Sequence, residues 1–223
     1  MSSKTVLITR ALAQNSTLRS WAINGKYKLI EQPFIRFEKI PNLEIPVSDW
    51  IFFSSPNGVR IYLENYKIQA KKIGALSNGT VKILKENNIN VDFVGQANQS
   101  TIDIGLNFAN QLNKREIVLF PLSDISKKNI SNQLTDEQKI ELEIYKTVLL
   151  NQKIKQAIDV IIFTSPSNVL GFFECNQIST SALIVAIGES TKVEIEKHTP
   201  LSVTVANSYN EESIVDVLNQ FTF

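Results

Sequence analysis

Cysteine and histidine are almost absent from this chain: Cys175 and His198 are the only examples in 223 residues. A lone cysteine makes no internal disulfide, and one cysteine with one histidine excludes a multi-ligand zinc site. Charge of one sign is not in excess either. The 23 Lys and Arg against 22 Asp and Glu leave a net charge of +1, so the chain has no basic surplus for sequence-independent nucleic-acid binding. Long apolar runs are missing. Stretches such as Val160-Ile161-Ile162-Phe163 have strand length and fall far short of the roughly 18 residues of a membrane span. Near the start only Val6-Leu7-Ile8 precedes Arg10, too little for a signal-peptide core, and the expected setting is the reducing cytoplasm. Neither Gly-x-x-x-x-Gly-Lys nor Gly-x-Gly-x-x-Gly occurs, which argues against nucleotide binding. Any catalysis must be largely free of histidine and metal.

What remains is an ordinary globular composition, 43% hydrophobic and 20% charged, with an internal repeat. Residues 49–59 read DWIFFSSPNGV and residues 159–169 read DVIIFTSPSNV, identical at six of eleven positions. One residue out of that register, Ser77-Asn78-Gly79-Thr80 falls on Gly188-Glu189-Ser190-Thr191, Val6-Leu7-Ile8 on Ile117-Val118-Leu119, and Pro33-Phe34-Ile35 on Ile144-Tyr145-Lys146. Four blocks in order, half a chain apart, mean two copies of one unit; solenoid repeats run roughly 20–50 residues.

Each copy alternates strand and helix. Val6–Thr9, Ile117–Phe120, Trp50–Phe53 and Val160–Phe163 are short apolar runs of the kind buried in parallel sheets. Val59, Tyr62, Leu63 and Tyr66, and later Ile214, Val217, Leu218 and Phe221, have helical spacing. Ser208-x-x-Glu211 ahead of the second set reads as a capping box. Lys28 to Ile40 and Lys139 to Leu149 instead alternate with period two, as strands with one wet face do. The expected class is α/β, with two similar lobes of parallel sheet flanked by helices and a two-strand linker. The first lobe is discontinuous, 1–33 plus 150–223; the second is 41–138; the linker strands are 34–40 and 139–149. No long exposed apolar stripe argues against a monomer.

Ligands of open parallel sheets bind beyond the carboxyl ends of the strands, where this sequence puts short polar residues. Ser54-Ser55-Pro56-Asn57 and Thr164-Ser165-Pro166-Ser167 follow two of the runs. Ser55 and Ser165 read as N-caps with proline at the first helical position. Starting a helix is enough to account for such turns, yet their free N–H groups and the helix dipole also attract anions. Ser77–Thr80 and Gly188–Thr191 repeat the pattern and add a threonine hydroxyl each. His198 reads as solvated, Cys175 as a small buried hydrophobe, and Lys71-Lys72 and Lys127-Lys128 as solvated faces able to steer an acidic ligand. Tyr145 sits on a linker strand opposite the aliphatic residues. It reads either as a plain surface aromatic or as a phenol facing a cleft between lobes.

Taken together, Val6–Arg10, Asp49–Val59, Ile144–Thr147, Asp159–Val169, Ala186–Thr191 and Val205–Asn207 resemble the uroporphyrinogen-III synthase family over the full length. The resemblance implies two α/β lobes joined by paired strands, with the first lobe built from both chain ends. It also implies a lyase without cofactor that acts on hydroxymethylbilane, a linear tetrapyrrole with eight carboxylates. Water leaves the hydroxymethyl group with help from the pyrrole nitrogen. The azafulvene so formed is attacked by the substituted carbon of ring D, and the spiro intermediate reopens and closes with ring D inverted. On this resemblance Tyr145 is the catalytic candidate, and Arg10, Ser54, Ser55, Asn57, Thr80, Thr164, Ser165, Ser167, Gly188 and Thr191 are substrate-binding candidates, with no metal, nucleic-acid or membrane partner. Ser77 stands where the family commonly has glycine, and Pro121-Leu122-Ser123 lacks an arginine often found there. The runner-up is a non-catalytic two-lobed protein that closes on an anionic small molecule.

Overall fold

The computed structural model describes residues 3–96 and 99–221. The chain divides into two compact units: Met1–Arg36 with Val148–Phe223, and Phe37–Thr147.

The first unit holds a five-stranded sheet. Its strands are β1 (Thr5–Ile8), β2 (Lys28–Glu31), β9 (Val160–Phe163), β10 (Leu183–Ala186) and β11 (Val203–Val205), in the order β11-β10-β9-β1-β2. The pairs β1–β2, β1–β9, β9–β10 and β10–β11 are all parallel. Helices α1 (Thr17–Asn24), α5 (Pro166–Phe173), α6 (Glu189–Glu196) and α7 (Glu211–Leu218) belong to the same unit. The central strands β1, β9 and β10 are buried on both faces, which is why they are the most apolar; the edge strands β2 and β11 are half-buried and carry Lys28, Glu31 and Thr204. Val6, Ile8, Val160, Ile162 and Val185 pack with Leu18, Ile214 and Leu218 on one side. Leu7, Ile161, Phe163 and Ile184 pack with Val169, Phe172 and Ile195 on the other. Helix α5 sits tightly on the chain at Phe34: Asn168 Oδ1 accepts from Phe34 N at 2.9 Å, and a Cβ on Gly171 would fall 2.2 Å from the Phe34 carbonyl oxygen.

The second unit holds most of a six-stranded sheet of order β3-β8-β7-β4-β5-β6, with β3 at Ile35–Lys39, β4 at Trp50–Phe53, β5 at Lys72–Ala75, β6 at Phe93–Val94, β7 at Val118–Ser123 and β8 at Lys139–Leu149. From β8 across to β6 the pairs run parallel. Its helices are α2 (Pro56–Asn65), α3 (Asn78–Glu86) and α4 (Thr101–Ala109). Ile51, Phe53, Leu119 and Ile144 pack with Val59, Tyr62 and Leu84 on one face. Trp50, Phe52, Val118, Phe120 and Leu122 pack with Ile104 and Phe108 on the other. The fold class is the expected mixed α/β with parallel sheets.

Three local readings change. Lys28 to Ile40 is not one strand. It breaks after Glu31, and the two parts join different sheets; Pro33 has no N–H to give a ladder. The last helix is capped by Asn210, whose Oδ1 accepts from Ser213 N at 2.9 Å, while Ser208 contributes a backbone N–H to the Ser213 hydroxyl. Glu211 is thus released from the expected capping box, and Phe221 lies past the helix, 39% exposed. Cys175 is half-buried rather than buried; His198 is exposed as expected, and its ring stacks on Phe173 with centroids 4.7 Å apart.

Candidate functional site

In each unit the polar residues gather at the carboxyl ends of the strands, where the order in the sheet reverses. The first unit runs from β1 to β2 on one side and resumes at β9 on the other. At this switch point Thr9 follows β1 and Thr164 follows β9. Thr164 N donates to Thr9 Oγ1 at 3.0 Å, the two hydroxyls lie 3.2 Å apart, and Thr9 N donates to Ile162 O at 3.0 Å. Thr9 is fully buried, so Thr164 carries the exposed part of the pair.

Arg10 is next in sequence. Its Nη2 pairs with Glu211 Oε1 at 2.9 Å, whereas its Nε is buried with no hydrogen-bond partner among the described residues. Such a donor is costly to leave unanswered. Burial pushes the Glu211 carboxyl upward, but the Ser16 hydroxyl, the Leu18 N–H and the Arg10 guanidinium outweigh it and hold the group below its ordinary value.

Ser165 caps α5: its Oγ accepts from Asn168 N at 3.2 Å and from Asn168 Nδ2 at 3.0 Å. Ser167 is half-buried in the first turn of that helix. Gly188 caps α6 without a side chain. The N–H groups of Glu189 and Ser190 have no partner inside the helix, and both residues are exposed. A Cβ on Gly188 would lie 2.3 Å from the Tyr209 ring, so glycine is what lets that ring lie against the turn. Thr191, in the same turn, is only 1% exposed, and its backbone N–H is already given to Gly188 O.

The second unit repeats the arrangement. Ser54 and Ser55 follow β4, beside β7 at the switch point of this sheet. Ser55 caps α2, its Oγ accepting from Gly58 N at 3.0 Å. Pro56 opens the helix, and Asn57 Oδ1 accepts from Arg60 Nη1 at 3.2 Å. Ser77 caps α3, and its hydroxyl lies 3.2 Å from that of Thr80, which is fully buried. The Thr80 hydroxyl therefore stiffens its turn, and both Thr80 and Thr191 present little surface.

Tyr145 differs from its sequence reading. It is 6% exposed and packs in the same cluster as Ile140, Leu142 and Ile144, not opposite them. The cause is an irregularity in the β7–β8 register, where Leu122 faces Glu143 but Ser123 faces Tyr145. The extra residue turns the strand by half a period and re-aims the tyrosine. Its ring meets Phe37 edge-on at 5.4 Å, and its hydroxyl lies 3.5 Å from Ser55 Oγ. The second unit thus unites Ser55 and Tyr145, while the first unites Arg10, Thr164 and Ser165 along one sheet edge. Sequence reasoning missed Thr9, Glu211 in its role as partner of Arg10, and Tyr209. Tyr209 stands 70% exposed between Ser208 and Asn210, with no periodicity to flag it.

These features define a class: doubly wound α/β units whose polar groups at the strand ends are capped turns, hydroxyls, an arginine and a phenol. The chain matches the uroporphyrinogen-III synthase HemD family profile over residues 23–216. It belongs to the uroporphyrinogen-III synthase family. Among solved structures it is similar to a uroporphyrinogen-III synthetase from Helicobacter pylori, with 16% identity, TM-score 0.68, and 97% of this chain and 99% of that one covered. It is also similar to a mutant uroporphyrinogen III synthase from the extremely thermophilic bacterium Thermus thermophilus, with 14% identity, TM-score 0.62, and 97% and 98% covered. At such identities the likeness concerns the fold. No curated protein matches the chain closely enough to count as a relative.

Proposed function

We propose that this chain closes hydroxymethylbilane to uroporphyrinogen III, with loss of one water and inversion of ring D, and that Tyr145 assists departure of the hydroxyl. The observation that carries the reaction is the family match over residues 23–216. The role of Tyr145 is supported by its placement 3.5 Å from the Ser55 hydroxyl at a strand end.

The substrate's own pyrrole nitrogen pushes the hydroxyl out, so the protein needs no strong base. The carbon–oxygen bond breaks as the Tyr145 phenol gives its proton to the leaving oxygen, and water departs. Ser55 Oγ–H then donates to the phenolate oxygen and holds its charge. The azafulvene carbon accepts the substituted carbon of ring D; the older bond from that carbon to the methylene of the neighbouring ring then breaks, and the freed methylene closes on the unsubstituted carbon of ring D, which leaves the ring inverted. The last bond releases a ring-carbon proton, which returns to the phenolate. Water is the only by-product.

Most of the rate comes from geometry. Fixing a flexible chain for one closure rather than another is worth up to about 7–11 kcal/mol in well-oriented cases. The eight carboxylates are held by helix-terminal N–H groups and hydroxyls at the turns of Ser54, Ser55 and Asn57, of Thr80, of Thr164, Ser165 and Ser167, and of Gly188 and Thr191. The guanidinium of Arg10, whose side chain is 39% exposed, adds a charged donor. The buried Thr80 serves by fixing its turn. On this reading the working form is a cytoplasmic monomer without cofactor. Among the described residues no helix is long and apolar enough to cross a membrane.

The test is the isomer ratio. Hydroxymethylbilane incubated with the protein is expected to give the type III macrocycle, where spontaneous closure gives type I. A ratio equal to that of the protein-free control refutes the proposal.

A further inference from the structure

The second unit contains a cavity of about 200 Å3 that Tyr145 does not line. It opens at the carboxyl ends of β4 and β7, beside Ser54. Leu76, Phe120, Leu122 and Ile130 form apolar walls, and Thr101, Ser126 and Asn129 add polar groups. Two lysines line it as well, and they differ. Lys128 Nζ is committed to Glu141 Oε2 at 2.6 Å, and Glu141 also accepts from the Ser131 hydroxyl. Lys127 is exposed and makes no ion pair among the described residues.

Size, wall chemistry and charge narrow the occupant. Pockets for drug-sized ligands run roughly 300–1,000 Å3, so this one is too small for a tetrapyrrole. A dry apolar cavity of about 150 Å3 accepts benzene; one flat five-membered ring therefore fits, with its substituents at the polar mouth. A lone lysine at that mouth favours an anionic substituent; Asn129 Nδ2 already donates to Thr101 Oγ1 at 2.8 Å, which leaves the hydroxyl protons of Thr101 and Ser54 to meet a carboxylate. The place in the sheet is the switch point where open α/β folds take ligands.

We propose that this cavity binds a single carboxylate-bearing pyrrole ring, and that Lys127 pairs with its acid arm. The inference rests on the proposed function and deepens it: the cavity is the seat of one ring of the linear substrate, and it orients that ring through the shape of Leu76, Phe120 and Leu122 rather than through Tyr145.

The experiment titrates the intact protein, labelled with 15N, with a monopyrrole carrying one carboxymethyl and one carboxyethyl arm, and with its dimethyl ester. Amide shifts are expected to centre on Ser54, Asn129 and Ser131. Lys127→Ala should weaken acid binding about fivefold, the scale of one partly exposed ion pair, and the ester should bind wild type and this variant equally. Leu76→Trp, which fills the cavity, should abolish the shifts while the melting temperature and spectrum show it folded. Parallel assays with hydroxymethylbilane should show a raised KM for Lys127→Ala with type III product retained. Shifts centred elsewhere, unchanged affinity in Lys127→Ala, or no shifts in wild-type protein that makes type III product would each overturn the cavity assignment. A wild-type protein that shows the expected shifts but yields type I product keeps the pyrrole site and overturns the cyclisation reading instead.

Discussion

Replacing Tyr145 by Phe separates chemistry from packing. The ring stays: Phe keeps the edge-on contact with Phe37 at 5.4 Å and the buried volume of a residue that is 6% exposed. What goes is one hydroxyl with a 3.5 Å contact to Ser55 Oγ, at the outer limit for a hydrogen bond. Ser55 Oγ still accepts from Gly58 N, and because Ser55 is only half-buried its hydroxyl proton can turn to solvent. The stability cost should stay below about 1 kcal/mol. At roughly 2–4 °C per kcal/mol for a chain of this size, the melting temperature barely moves. The catalytic cost is of another order, because a positioned acid contributes about 10²–10⁴-fold. The assay measures kcat and KM with hydroxymethylbilane and, separately, the isomer ratio of the enzymic product. The expected result is kcat down at least about 100-fold with KM little changed. The product remains type III, since ring placement is left intact. A kcat within a few-fold of wild type, or a loss lying wholly in KM, refutes the assignment of Tyr145 as proton donor.

Two further predictions rest on other parts of the molecule. Gly171→Ala forces a methyl group to within 2.2 Å of the Phe34 carbonyl oxygen, a backbone atom with nowhere to yield, so thermal melts should show a loss of about 1–3 kcal/mol; a melt within a degree of wild type contradicts the packing described. Glu211 has a lowered folded pKa, so its contribution to stability is present above its unfolded value near 4.5 and is lost as pH falls through the folded value. Glu211→Gln should therefore flatten the fall in stability below about pH 4.5, and urea midpoints that fall as steeply in the variant as in wild type count against that linkage.

Legibility in the sequence followed the range of the forces involved. Strands buried on both faces are continuous apolar runs, and Trp50–Phe53 and Val160–Phe163 match the structure residue for residue. The Ser-Pro starts of α2 and α5 are equally local, because a hydroxyl reaches only three residues along the chain. Tyr145 failed for the opposite reason. Alternation along β8 predicts its face only if the strand is regular, and the irregularity is set by pairing with Leu122 and Ser123, more than twenty residues upstream. Glu211 reads as a capping-box residue in its own neighbourhood, yet it is bound by Arg10 and Ser16 near the other end of the chain. The cavity beside Ser54 draws on five separate stretches of sequence; the Ser54 turn and Lys127-Lys128 stand out singly, but no local pattern brings them together.

The repeated architecture also explains why the two copies need not do the same work. Ser77 and Gly188 occupy equivalent positions at the start of α3 and α6. Ser77 satisfies the first turn of its helix with its own hydroxyl, whereas Gly188 leaves that turn without a side-chain cap. Glu189 in the first turn of α6 opposes an incoming anion, and Arg10 elsewhere in the same unit supplies positive charge. At the switch points the divergence goes the other way. Thr9 and Thr164 close the first by bonding each other, whereas the second opens into the cavity beside Ser54. On the proposed reading, one copy has kept donors for carboxylates and the other has gained a ring seat and a phenol. That division suits a reaction in which many acid groups must be held still while a single carbon–oxygen bond breaks.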